Sequence, residues 1–151
     1  MANKPLIPAS FTTLHLYNCT YMLKRIPLHT ARNLITIISV AVILFHLLVL
    51  TGLIPYTIVW GGRLKTQEQM QTSELASIVI NALLVALLWM KKSPRRGVGF
   101  TRIVMWLYVL LFTLNTAGNL MAASIWEKVL FTPLTLLLAV LCARIATYKP
   151  Y

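Results

Sequence analysis

Hydrophobic and polar positions divide the chain into long apolar runs joined by short polar connections. The four apolar runs cover residues 33–54, 74–90, 103–121 and 129–146. Each is close to the ~20 residues that an α-helix needs to cross the hydrocarbon core of a bilayer. The pattern therefore predicts an all-α fold, a four-helix transmembrane bundle at residues 33–146. Residues 147–151 are predicted to form a cytoplasmic C-terminal tail.

Residues 1–32 are predicted to form a cytoplasmic or interfacial N-terminal tail, for which two interpretations stay open. Met22 precedes the basic pair Lys24 and Arg25, the kind of flank that introduces a first helix, and is one candidate for the physiological start. Alternatively, the aromatic and leucine residues between Phe11 and Tyr21 lie on the membrane surface.

The composition excludes a soluble globular domain. Hydrophobic residues make up 58% of the chain and charged residues 11%, whereas a typical soluble domain has about 25% charged residues. The sequence therefore predicts a multi-pass protein of the cell (cytoplasmic) membrane.

The basic residues are distributed unequally between the two predicted sides of the membrane. The net charge is +11, and most Lys and Arg residues lie before the first run, between the second and third, and after the fourth. The other side has Arg63, Lys65 and Lys128 together with all 3 acids of the chain, Glu68, Glu74 and Glu127. Because Lys and Arg accumulate on the cytoplasmic side, both termini are predicted to be cytoplasmic. Trp60 and Trp126 then fall at the outer ends of their runs, where interfacial aromatic residues settle.

The basic loop at residues 91–102, KKSPRRGVGFTR, is predicted to contact anionic lipid head groups. No nucleic-acid partner is predicted, because no aromatic or glycine-rich recognition motif accompanies these charges.

The connection IPYTIVWGGRLKTQE at residues 54–68 carries several turn and capping signals. Pro55 is predicted to end the first helix, because the residue before a proline avoids the helical conformation. Gly61 and Gly62 permit positive φ and predict a tight turn. Thr66 and Gln69 fit a capping box, which places the start of the second helix near Gln67.

A polar layer is predicted in the outer half of the bundle. His46, Asn81, Asn115 and Thr132 each lie about 10 Å below the outer interface, at 1.5 Å of rise per residue. Polar groups at this depth are expected to face the bundle interior. The candidate ligand-binding residues are His46, Arg63, Glu74, Asn81, Asn115, Asn119, Glu127 and Thr132. The alternative is that these side chains only hydrogen-bond helices to each other.

Glu74 begins a polar stripe on the second helix and has no local explanation in the sequence. We expect Arg63 to pair with Glu74, or failing that with Glu127, because a guanidinium can form a bidentate pair with a carboxylate. The WGGR loop would then form a lid over the outer mouth of the bundle. The alternative is that Arg63 is a solvated loop charge. Glu127 also fits a capping box with Ser124.

Pro133 lies inside the fourth run and lacks the N–H that a helix would use. It is expected to free a backbone carbonyl and to kink the helix at the depth of Thr132.

Catalytic and metal-binding signatures are absent from the sequence. The chain has no aspartate and no HExxH, P-loop or GxSxG motif. His15 and His29 are predicted to lie across the membrane from His46, so neither a metal site nor a cofactor is predicted. The sequence does not favour an enzyme.

Three stretches, IPYTIVWGGRLKTQEQM, LNTAGNL and EKVLFTPLTLLLAVLCARIA, resemble a group of small uncharacterised bacterial integral membrane proteins with four predicted helices. The resemblance covers residues 33–146 and implies a bacterial cytoplasmic membrane, without implying an activity or a ligand.

Two functions remain open from the sequence. The first is a protein that binds a small molecule or lipid in a polar pocket in the outer half of the bundle. The second is a structural or accessory subunit, a homo-oligomer or part of a membrane complex, whose polar layer only holds helices together. A binding protein requires a pocket of about 300 Å³ or more, whereas a packing layer leaves no such space.

Overall fold

The computed structural model describes residues 23, 25–55, 59–90 and 98–148. Four α-helices follow one another in this part of the chain: α1 (Leu28–Leu50), α2 (Gln67–Trp89), α3 (Val98–Leu120) and α4 (Thr132–Ala146). A left-handed turn at Trp60–Gly62 lies between α1 and α2, and a π-helical turn at Glu127–Phe131 leads into α4. The predicted N-terminal tail and most of the basic loop lie outside the described residues.

All four helical segments of the described chain are long and apolar enough to cross a membrane. Large apolar side chains cover the outside of the bundle, and Ile37 and Ile103, for example, are 65% and 64% exposed. Such a surface suits a lipid environment, because hydrocarbon solvates these side chains as well as a protein core does. The predicted all-α, four-helix fold of a multi-pass membrane protein is confirmed.

The helices are packed in the order α2, α1, α4, α3. Helix α1 packs against α2 and α4, and α3 packs against α4. Helices α2 and α3 form the two edges, which are joined by a hydrogen bond from the Tyr108 hydroxyl to the Ile80 carbonyl (2.8 Å). The buried apolar core includes Ile35, Leu84, Met105, Leu138 and Leu141.

The ends of α1 differ from the prediction. The helix begins at Leu28 rather than Asn33, and it ends at Leu50, well before Pro55. The cause of the early end is Gly52, which adopts φ +77° just after the helix. Glycine reaches this left-handed conformation at little cost and is the commonest residue after a helix C-terminus.

The start of α2 agrees with the prediction. The helix begins at Gln67, and the Thr66 hydroxyl accepts a hydrogen bond from the backbone N–H of Gln69 (3.2 Å). The Gln69 side chain accepts from the N–H of Lys65 (3.0 Å), one residue earlier than a capping box requires.

The irregularity expected near Pro133 is a π turn. The N–H of Thr132 donates to the carbonyl of Glu127, five residues earlier, instead of four. At the start of α4 the Thr135 hydroxyl also donates to the Phe131 carbonyl (2.8 Å). Single π turns inside helices are frequent at functional sites.

Candidate functional site

A cavity of about 380 Å³ lies between the helices, at the end of the bundle that has the α1–α2 and α3–α4 connections. All four helices contribute to its walls. Its apolar lining comes largely from phenylalanine and leucine residues, and its polar lining includes His46, Asn81, Asn115, Asn119 and Glu127. Residues 59–63 are called the lid from here on. They cover one end of the cavity, and all of them except residue 62 line it.

Glu74 is fully buried and holds the lid to α2. Its Oε1 accepts a hydrogen bond from Trp60 Nε1 (2.8 Å), and its Oε2 lies 2.5 Å from His46 Nδ1. Hydrogen bonds to a charged group stabilise by about 1.5 to 3 kcal/mol each. A carboxylate can only accept, so with Glu74 in that form Nδ1 of His46 is the donor, and Nε2 of a neutral imidazole is then an acceptor without a partner among the described residues.

The lid has an unusual backbone. Trp60, Gly61 and Gly62 all have positive φ, at 58°, 68° and 70°. Glycine tolerates this conformation, but a bulky residue such as tryptophan rarely adopts it, and strained positions of this kind cost about 1 to 3 kcal/mol. The surrounding contacts must offset this cost, and the Trp60–Glu74 hydrogen bond is one of them.

The second carboxylate of the site holds the other side of the lid. Glu127, in the π turn before α4, is 5% exposed and accepts a hydrogen bond from the backbone N–H of Gly61 (2.7 Å). A β-carbon added to Gly61 would lie 3.5 Å from the Cα of Ala122, in the connection between α3 and α4. The lid is therefore held to α2 through Glu74 and to the start of α4 through Glu127.

The expected role of Arg63 is wrong. Among the described residues, Glu74 lies within hydrogen-bond distance of His46 and Trp60, whereas the exposed Arg63 side chain is within pairing distance of neither Glu74 nor Glu127. The WGGR loop does cover the cavity, as expected, but Trp60 and Gly61 anchor it. The prediction that Trp60 is an interfacial aromatic residue stays a prediction; the structure adds that its indole N–H donates to Glu74.

The four residues of the predicted polar layer have different surroundings. His46 and Asn81 are largely buried and line the cavity. Asn115 also lines it but is exposed. Thr132 does not line it, and its buried hydroxyl has no hydrogen-bond partner among the described residues. Glu127 was predicted to cap its own helix, but its carboxylate binds the lid instead.

Asn81 is the buried polar residue whose hydrogen bonding is incomplete inside the cavity. Its Nδ2 donates to the Ser77 carbonyl (2.9 Å), which fixes the orientation of the amide, since a flipped amide would place two acceptors together. Its Oδ1 is buried and has no partner among the described residues. Leaving such an acceptor unpaired costs about 1 to 3 kcal/mol.

A group of hydroxyls and one amide joins α3 to α4 beside the cavity. The Thr116 and Thr135 hydroxyls are 2.9 Å apart, and Asn119 Nδ2 donates to Thr135 Oγ1 (3.4 Å). These contacts pair polar groups of adjacent helices and serve packing. Thr116 was not among the predicted residues, and its spacing of three from Asn119 is the signal that could have identified it.

The cavity lining includes exposed residues of α3. Leu114 and Asn115 line the cavity and are also exposed. Leu114 lies six residues before Leu120, which at 1.5 Å of rise per residue is about 9 Å from the helix end. These two residues are therefore within the apolar span, where an amphiphile in the bilayer would meet them.

The described residues form an α-helical bundle of four helices long and apolar enough to cross a membrane, as in a multi-pass membrane protein, with a cavity bordered by the lid. No protein-family model, curated protein or solved structure matches this chain.

Proposed function

We propose that this protein binds a small amphiphilic molecule or lipid in the cavity under the lid. The apolar part of the ligand would contact Phe112, Leu134 and Leu138, and its polar part would lie near His46 and Asn81. The ligand would enter at Leu114 and Asn115.

The observation that carries this proposal is the cavity of about 380 Å³ lined by Asn81, whose buried Oδ1 has no partner among the described residues. A layer that only packs helices would fill this volume and pair this oxygen, because voids and unpaired buried acceptors both destabilise a fold. Drug-sized ligands occupy pockets of about 300 to 1,000 Å³. The volume is therefore sufficient for a small amphiphile or for part of a lipid.

A role as a structural or accessory subunit is the alternative. The Thr116, Asn119 and Thr135 contacts support it for the α3–α4 interface, since they pair polar groups between helices. They do not account for the cavity, the lid or the free oxygen of Asn81.

The proposed location is a bacterial cytoplasmic membrane with both termini in the cytoplasm and the lid on the opposite side. The uneven distribution of Lys and Arg supports this orientation. In this orientation the basic loop at residues 91–102 would contact anionic lipid head groups.

A cavity-filling substitution tests the proposal. Gly118 lines the cavity, and a β-carbon added to it meets no atom within 4 Å, so Gly118→Leu should fill the space without disturbing α3. Gly99→Leu is the matched control, because Gly99 lies in the same helix, has the same open surroundings and does not line the cavity. Each protein would be incubated with a total membrane-lipid extract, washed and analysed by native mass spectrometry.

The wild-type protein and Gly99→Leu should retain a bound small molecule, and Gly118→Leu should lose it. Equal retention by all three proteins, or no retention by any of them, would contradict the proposal.

A further inference from the structure

We infer that the preferred ligand is an organic ammonium, an amine-bearing amphiphile whose cationic head lies between Glu127, His46 and the aromatic wall. This inference rests on the proposed binding function and adds the chemical class of the ligand.

Three residues that line the cavity, each on a different helical segment, have a side-chain acceptor without a hydrogen bond among the described residues. Glu127 uses Oε2 for the lid, and its other carboxylate oxygen has no hydrogen bond among the described residues. The same is true of His46 Nε2 and of Asn81 Oδ1. A primary ammonium has three donors and no acceptor, so it fits a set of acceptors better than a hydroxyl does.

The buried acids at and beside the cavity favour a cation; Glu127 lines the cavity, and Glu74 lies next to it, bonded to the lining residues His46 and Trp60. The chain has 3 acids and 14 basic residues, yet Glu127 and Glu74 are both buried at this site. Glu74 has two hydrogen-bond partners, whereas within the described part of the chain Glu127 has one, the neutral backbone N–H of Gly61. A buried carboxylate is stabilised when a cation pairs with it. Arg63 also lines the cavity, but its side chain is exposed and solvent screens its charge.

Aromatic rings next to these acceptors provide a second interaction for a cation. The centroids of Phe45 and Phe131 are 4.8 Å apart, and those of His46 and Trp60 are 6.4 Å apart. All four residues line the cavity. A cation within about 6 Å of an aromatic face gains about 0.5 to 2 kcal/mol, with the larger value at desolvated sites.

Three amphiphiles with the same chain and different heads test the inference: decylammonium, decanol and decanoate. Binding to the protein in nanodiscs of zwitterionic lipid would be measured by equilibrium dialysis, and empty nanodiscs would correct for partition into lipid. The protein's net charge of +11 favours decanoate through long-range attraction. A preference for the ammonium must therefore come from the site.

Decylammonium should bind to the wild-type protein at least tenfold more tightly than decanol or decanoate. Glu127→Gln keeps an acceptor for the Gly61 N–H and removes the charge, so it should abolish most of this preference. Glu68→Gln is the matched control, because it makes the same change at the exposed acid in the first turn of α2. It should leave the preference unchanged.

The ammonium inference would be overturned by decanol binding as tightly as decylammonium, by decanoate binding most tightly through Arg63, or by Glu127→Gln keeping the preference. In the first two cases the proposed binding function would stand. If none of the three amphiphiles bound to the wild-type protein, both the inference and the proposed function would fail. The comparison of head groups on the wild-type protein requires no variant to fold.

Discussion

Replacing Trp60 by phenylalanine should destabilise the protein by about 1.5 to 3 kcal/mol, the range for a hydrogen bond to a charged group. The substitution keeps an aromatic ring and removes the N–H that donates to Glu74 Oε1 at 2.8 Å. Glu74 is 0% exposed, so water cannot replace this donor. Trp60 is 40% exposed, and the loss of ring area should add little.

Trp126→Phe is the control, because Trp126 lies near the same end of the bundle and is 73% exposed. Changes at such surface positions stay within about 0.5 kcal/mol. The free energy of unfolding would be obtained by titrating the protein with SDS in dodecylmaltoside micelles and following the far-UV circular dichroism. This signal depends on helix content and not on the number of tryptophans.

A second pair of variants separates the hydrogen bond from other effects of the smaller ring. In a Glu74→Met background the acceptor is absent, so Trp60→Phe should cost less than about 0.5 kcal/mol there. If Trp60→Phe is no more destabilising than Trp126→Phe in the wild-type background, or equally destabilising in both backgrounds, Glu74 does not hold the lid.

Three further predictions follow from the backbone, the site and the charge distribution. Gly61→Ala should lower the free energy of unfolding in the same SDS titration by about 1 kcal/mol or more, because Gly61 has a φ of +68°. Gly118→Ala in α3 should raise the free energy of unfolding by about 0.5 to 1 kcal/mol. Asn81→Leu should weaken decylammonium binding at least fivefold in the dialysis assay, and unchanged binding would exclude Asn81 from the site. A periplasm-dependent reporter fused after Tyr151 should be inactive, and activity would contradict the proposed orientation.

The fold could be predicted from the sequence because it depends on local properties. Apolar runs of membrane-spanning length define the four helices, and the Thr66 cap places the start of α2 at Gln67. The predicted end of α1 at Pro55 is wrong, because Gly52 ends the helix three residues earlier. Gly52 and Pro55 can each end a helix, and the sequence alone does not tell which of the two does so.

The site could be predicted only in part, because its contacts are long-range. His46 and Asn81 can be predicted from their depth in apolar helices, and Glu74 from the polar stripe on α2. Their partners cannot, since Trp60 fits both an interfacial belt and a donor to Glu74. The choice of Arg63 as that partner relied on charge alone. The structure shows that a tryptophan N–H and a histidine satisfy the buried carboxylate instead.

The most direct test of the central claim is to locate a bound amphiphile on the protein. A decylammonium analogue with a diazirine at the end of its chain would be photolysed with the protein in membranes, and the labelled residues would be mapped by tandem mass spectrometry. If the ligand binds under the lid, labelling should be concentrated on cavity residues such as Phe112 and Leu138, and Gly118→Leu should abolish it. Labelling spread over outward-facing residues such as Ile37 and Ile103, and unaffected by Gly118→Leu, would contradict the existence of the binding site.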